Sequence, residues 1–242
     1  MNMQKTNVGD LNKYKMPSEG GGEYAKDNSV NSGNINAYFR NLETRLVEHI
    51  KEADFVYGAV AWLTSSSILT ALSQVKRGVQ IVVQKEDFLR PDTDQKTPWA
   101  KNWLREKYDM LKCDIMRHNF GGVIGSLSYA IDPSMSPVMC VGNHNRDKAP
   151  AFPRMHNKFL IFAKEPTYKT SSYDDQLINP YAVWTGSFNF TKNAGHSLEN
   201  ALYITKKKIV RAYSKEYEQI FALSEFLDWQ SDWCEPAYRI GS

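Results

Sequence analysis

The chain has 242 residues, 42% of them hydrophobic, with a formal net charge of +3 and three cysteines. That length suits one large domain or one domain with appendages, and the small net charge excludes a globally basic nucleic-acid binder while leaving a local basic surface open. Cys113, Cys140 and Cys234 are odd in number, far apart and without metal-ligand spacing, which excludes a disulfide framework or zinc site and points to a reduced, cytoplasmic chain with no metal and no cofactor.

The N-terminus lacks the apolar core of a signal peptide, and no apolar run approaches transmembrane length. Delivery as a toxin by a signal-independent route stays open. Residues 1–34 are rich in Gly, Ser, Asn and Lys, so they read as a flexible polar arm ahead of a domain spanning 35–242. Ile35, Tyr38, Phe39, Leu42, Leu46, Val47 and Ile50 follow helical spacing, which predicts an amphipathic helix over 35–52.

Phe55 to Leu63 is a nearly continuous apolar run, the pattern of a strand buried on both faces. Thr64 and Ser65 to Ser67 offer N-caps for a helix through about Val75, and Gly78 ends it. Val79 to Val83 reads as a strand. Pro98 opens a helix with Trp99, Trp103, Leu104, Tyr108 and Leu111 on one face. Cys113 to Arg117 reads as another strand. This alternation predicts an α/β fold with a mixed, mainly parallel sheet flanked by helices on both faces. Ligands in such sheets gather at the carboxyl ends of the strands.

Residues 118–153 are irregular, with a short strand at Val138 to Val141; loops this long in a compact domain are usually functional. Arg146, Lys148 and Arg154 lie just upstream of the next apolar run and are candidate contacts for a polyanion. Lys206 to Lys208 lead a final helix with Tyr213, Tyr217, Ile220 and Phe221 on one face. The positive charge there is unusual for a helix N-terminus. Trp229 and Trp233 follow in a tail that packs back on the domain.

The chemistry concentrates between Arg154 and Thr205. His156 and Lys158 precede Phe159-Leu160-Ile161-Phe162, and residues two apart in a strand share a face. Ser187 and Asn189 repeat that spacing where Tyr181 to Trp184 gives way to a loop, and Glu199 opens a third run at Ala201. An imidazole is a nucleophile or general acid, and an ammonium, a hydroxyl and a carboxamide are donors for an anionic oxygen. A carboxylate can hold the imidazole in one tautomer. The set suits attack on a phosphate ester, where positioning and charge stabilisation dominate.

The order HNK, then TGSFNFT, then SLENALYI resembles the phospholipase D superfamily, and most closely its small nucleases with one HxK motif per chain. The resemblance implies a phospholipase D-like fold and a metal-independent phosphodiesterase, most simply an endonuclease acting on DNA or RNA. It implies His156 as nucleophile, Lys158, Ser187 and Asn189 as the phosphate site, and Glu199 as the group that orients His156. One motif per chain implies a homodimer with both copies of His156 at a shared site. One departure stands out: the family motif continues to an Asp where this chain has Ala163. It keeps a catalytically silent nucleic-acid binder as an alternative, beside a phospholipase acting on lipid.

Overall fold

The computed structural model describes residues 9–13, 15–16, 23–24, 26–86, 98–114, 136–144, 152–165, 178–229 and 231–237. Its centre is an eight-stranded sheet ordered β3-β4-β10-β9-β8-β5-β6-β7. The strands are β3 (Val30–Ser32), β4 (Ile35–Tyr38), β5 (Phe55–Val60), β6 (Val79–Gln84), β7 (Val138–Val141), β8 (Lys158–Lys164), β9 (Asn179–Gly186) and β10 (Ala201–Ile204). A separate two-stranded pairing joins β1 (Lys15–Met16) to β2 (Glu23–Tyr24). The helices are α1 (Leu42–Glu52), α2 (Ser66–Ser73), α3 (Pro98–Asp109) and α4 (Lys207–Ala222).

The sheet is mixed, as the alternation of elements predicts, but parallel pairing is confined to β5, β6 and β7. The other pairings, from β3 across to β5, are antiparallel. The expectation of a mainly parallel sheet therefore holds for the first strands of the domain only. The reason lies in the connections. β5 and β6 are joined through α2, a crossover that permits parallel pairing, whereas among the described residues no α-helix separates β8, β9 and β10. Every residue of β5 and β6 is buried, which is the signature of strands covered on both faces.

Helices lie on both faces. Leu46 and Ile50 of α1, Leu69 and Leu72 of α2, and Leu104 and Tyr108 of α3 share one core with Leu160, Phe162 and Trp184 of the sheet. Val210, Tyr217 and Phe221 of α4 share the other with Tyr57, Phe159, Ile161 and Val183. Each such fully buried side chain contributes roughly 1.5–3 kcal/mol. Ser65 caps α2 as predicted, accepting from the Ile68 amide at 3.4 Å.

Two expectations change. Residues 35–38 are a strand and not the start of α1. Asn41 adopts a left-handed conformation (φ 57°) that breaks the chain direction, and β10 offers a pairing partner, Ala201 opposite Tyr38, that helical spacing cannot reveal. Cys113 makes only an isolated bridge to Gly78; the strand beside β6 is β7, and 115–117 lie outside the described residues. Among the described residues, no helix is long and apolar enough to cross a membrane.

Candidate active site

Among the described candidates, His156, Lys158, Ser187, Asn189 and Glu199 lie at one end of the sheet, where β5 and β6 finish and β8 begins. Val60 at the end of β5 pairs with Lys158 at the start of β8, and the Ala61 amide donates to the Asn157 carbonyl at 2.8 Å. This tie fixes His156 and Lys158 beside the carboxyl end of β5. His156 is exposed, while Lys158 is buried along its stem. Lys158 Nζ donates to His156 Nδ1 at 3.1 Å and to the His156 carbonyl at 3.0 Å. The His156 ring stands edge-on to Trp62, centroids 5.2 Å apart at 79°.

The His156 pKa lies below its ordinary value, first because of burial and then because of the positive charges of Lys158 and Arg154. Burial also lowers the Lys158 pKa, while the charge of Glu199 opposes that shift. The shift favours the neutral form of an exposed imidazole that stands beside an ammonium, a pairing suited to a nucleophile with an anion binder at its side. Arg154→Gln removes one of the charges that hold the imidazole neutral. The acid limb of a rate profile should therefore move to higher pH, read as kcat/KM against pH. An unmoved limb would assign that limb to another group.

Ser187 and Glu199 come together because Gly186 at the end of β9 pairs with Ala201 at the start of β10. The strands approach so closely that a Cβ on Gly186 would stand 2.2 Å from the Asn200 carbonyl oxygen, so no larger residue fits. The Ser187 amide donates to the Asn200 carbonyl at 3.1 Å, and the Asn200 amide returns a bond to Ser187 Oγ at 3.1 Å. Ser187 Oγ donates to Glu199 Oε2. Within one chain Glu199 thus holds Ser187 and its charge reaches Lys158; its hydrogen bond goes to the hydroxyl and not to the His156 ring.

Asn189 is held between Phe188 and Phe190, both fully buried. The Phe190 carbonyl accepts from the amides of Thr64 and Ser65 at 2.8 Å, which locks this loop to the start of α2. The Asn189 carboxamide is half-buried and its inner oxygen has no hydrogen-bond partner. Such an orphan acceptor costs about 1–3 kcal/mol and is satisfied only by a donor; an anionic oxygen would be held by the carboxamide nitrogen instead. Arg154 stacks its guanidinium over the Phe152 ring at 5.5 Å. Arg146 and Lys148 lie outside the described residues.

Three residues that support the site escaped the motif reading. Trp62 walls the His156 ring and donates to Glu86 at 3.1 Å. Gln84 accepts from the Met155 amide at 2.7 Å and donates to the Asn143 carbonyl at 2.9 Å, so it sets the chain just before His156. Gly142, at φ 90°, lets the chain pass Gln84, where a Cβ would meet Oε1 at 2.5 Å. The available signal was position: Trp62 and Gln84 stand at the carboxyl ends of buried strands.

Other histidines sit elsewhere. His196 lies 3.5 Å from Asp10, and His49 stacks on Tyr203 at 3.7 Å. Lys206 to Lys208 follow the end of β10 that is remote from Glu199. Ala163 is wholly buried, five residues along β8 from Lys158 and so about 17 Å away at strand rise. A carboxylate there would not touch the phosphate site.

A family model described as cardiolipin synthase, PLD-like domain, matches residues 46–221. An uncharacterized protein of Acanthamoeba polyphaga mimivirus is 37% identical over 234 residues, covering 92% of this chain and 75% of that protein. Among solved structures the chain is similar to Nuc, a phospholipase D family member from Salmonella typhimurium. That likeness has 17% identity and a TM-score of 0.45, over 81% of this chain and 98% of Nuc. NucT from Helicobacter pylori gives 16% identity and a TM-score of 0.44, over 78% of this chain and 96% of that one.

Proposed function

The chain belongs to the phospholipase D superfamily and is a phosphodiesterase of that type, and from that premise we propose that it hydrolyses nucleic acid, DNA first, at a site shared by two copies. The observation that carries this reading is the exposed, neutral His156 with the Lys158 ammonium 3.1 Å from its ring. The catalytic unit is residues 35–242. Of the arm at residues 1–34, Asn12 donates to the Gly195 and Ser197 carbonyls at 3.2 and 3.1 Å, and Val30–Ser32 forms the edge strand β3 beside β4.

An incoming phosphate is a better acceptor for the ammonium than the imidazole is. It takes the Lys158 hydrogen bond and frees a ring nitrogen. That nitrogen attacks phosphorus, forming a P–N bond as the P–O bond to the leaving alkoxide breaks. The second copy's imidazole, protonated at the start, gives its proton to the alkoxide. It then takes a proton from water, which attacks the phosphohistidine, breaks the P–N bond and restores His156. Lys158 and the carboxamide nitrogen of Asn189 hold the non-bridging oxygens, and Ser187 joins them by turning its one O–H from Glu199 to the phosphate. Before substrate arrives Glu199 holds Ser187, and its charge sustains that of Lys158.

These side chains supply the positive charge and donors that a divalent ion supplies in other phosphodiesterases, so the proposal is metal-independent. Plasmid should be cut in millimolar EDTA. Complete loss in chelator with rescue by a divalent ion would refute the mechanism. Turnover of phospholipid vesicles in place of plasmid would move the substrate to lipid.

Sharing is tested by mixing. If His156→Ala chains exchange with an equal number of active chains, about a quarter of the dimers keep both imidazoles. Activity per active chain should fall to about half, because half of the active chains sit in mixed dimers. Unchanged specific activity, or an active monomer in sedimentation, would place a complete site in each chain.

A further inference from the structure

We propose that Phe152 and Trp233 form an aromatic subsite that stacks the bases of a single strand next to His156, with Arg154 on the strand's phosphate. This rests on the nucleic-acid reading above and names its substrate as unpaired strand. Phe152 is 73% exposed and Trp233 70% exposed. Trp and Phe are otherwise strongly buried residue types, and among the described residues these two are the most exposed large hydrophobic side chains.

Their backbones meet at one side chain. Asn143 Nδ2 donates to the Phe152 carbonyl at 2.7 Å, and Asn143 Oδ1 accepts from the Cys234 amide at 3.0 Å. The Asn143 amide also donates to the Pro153 carbonyl at 2.9 Å. The segment carrying Trp233 is held from beneath as well. The wholly buried Lys85 donates to the Ser231 carbonyl at 3.0 Å and the Trp233 carbonyl at 2.7 Å, and pairs with Glu225 at 2.6 Å. His144, also buried, pairs with Asp232 at 3.1 Å. The main chain is therefore fixed by buried charged groups while the indole is left in solvent. A solvent-facing ring on a fixed main chain has only its own two side-chain torsions to order on binding a flat partner.

The subsite is close to the chemistry. Phe152 precedes His156 by four residues, at most about 14 Å of extended chain. Arg154 lies between them with its guanidinium over the Phe152 ring at 5.5 Å. Aromatic faces with a cation alongside match a strand whose bases are unstacked and whose backbone is anionic. A duplex hides its base faces and gains nothing from the rings.

The test compares Kd for a short fluorescent oligothymidylate, for oligouridylate and for a hairpin duplex, using full-length protein carrying His156→Ala so that the strand persists. Adding Phe152→Ala and Trp233→Ala should weaken single-strand binding at least about 25-fold, or about fivefold per ring. Duplex binding should change by less than about twofold. Trp233→Phe should restore most of that ring's share. Similar losses for both oligonucleotides would give a subsite for either sugar; a loss for one alone would assign it to that nucleic acid. Unchanged single-strand Kd, equal losses on strand and duplex, or a changed sedimentation coefficient with unchanged Kd would overturn the subsite. If the wild-type protein cuts neither nucleic acid nor a small aryl phosphodiester, the nuclease reading fails while the Kd comparison still decides the subsite.

Discussion

Replacing His156 by alanine should reduce turnover on the order of 10⁴-fold or more, the scale seen when a covalent nucleophile is removed. The expected loss is large because, in the proposed mechanism, the same side chain serves as nucleophile in one copy and acid in the other. Oligonucleotide Kd should change little. His156 is exposed and its ring bonds only Lys158 among the described residues; the half of that contact made to the backbone carbonyl at 3.0 Å survives the substitution, so the fold should be little affected. Lys158 is released by the substitution to bind phosphate outright. The measurement is a single-turnover rate with saturating protein beside an anisotropy titration. A residual rate within about tenfold of wild type would remove His156 from the role of nucleophile.

Lys158→Ala should cost about 3 kcal/mol in transition-state stabilisation, roughly a 10²-fold loss of kcat. Two effects add. The donor to the phosphate oxygen disappears, and so does a positive charge that lowers the His156 pKa. The sign of the second is fixed: without that cation the imidazole binds its proton more readily, so the acid limb should shift to higher pH. Lys158→Arg retains the charge but must fit a planar head in a slot shaped for a buried ammonium. It should recover the position of the acid limb more fully than the rate. A Lys158→Ala enzyme with wild-type kcat and an unshifted limb would reduce Lys158 to a core residue with a polar tip.

Much of the candidate site was legible because its parts lie at or just beyond strand ends. The spacing of His156 and Lys158, and of Ser187 and Asn189, marks strand ends by itself, and the structure puts both pairs at one end of the sheet. The bonding of Glu199 was not legible: whether a carboxylate reaches a ring or a hydroxyl depends on the pairing of Gly186 with Ala201. Trp62 and Gln84 read as the last residues of buried strands, and only their neighbours across the sheet reveal what they hold. The N-terminal strand β4 was read as helix because Ile35, Tyr38 and Leu42 fall at helical spacing. Its true period is set by β10, far along the chain. The antiparallel half of the sheet escaped for the same reason, since pairing is a long-range choice that local pattern does not record.

That pairing of β4 with β10 also sets a timetable for biosynthesis. Tyr38 leaves the ribosome early, but Ala201 is its partner. At usual rates of synthesis β4 waits on the order of ten seconds for its neighbour. The parallel strands β5 and β6 can assemble in that interval, whereas β8, β9 and β10 emerge last and bring Lys158, Ser187 and Glu199 with them. Loop closure over such separations is slow and comes late. A growing chain therefore acquires its scaffold first and its reactive groups at the end. The candidate phosphate-binding residues are brought together only once β10 has been made.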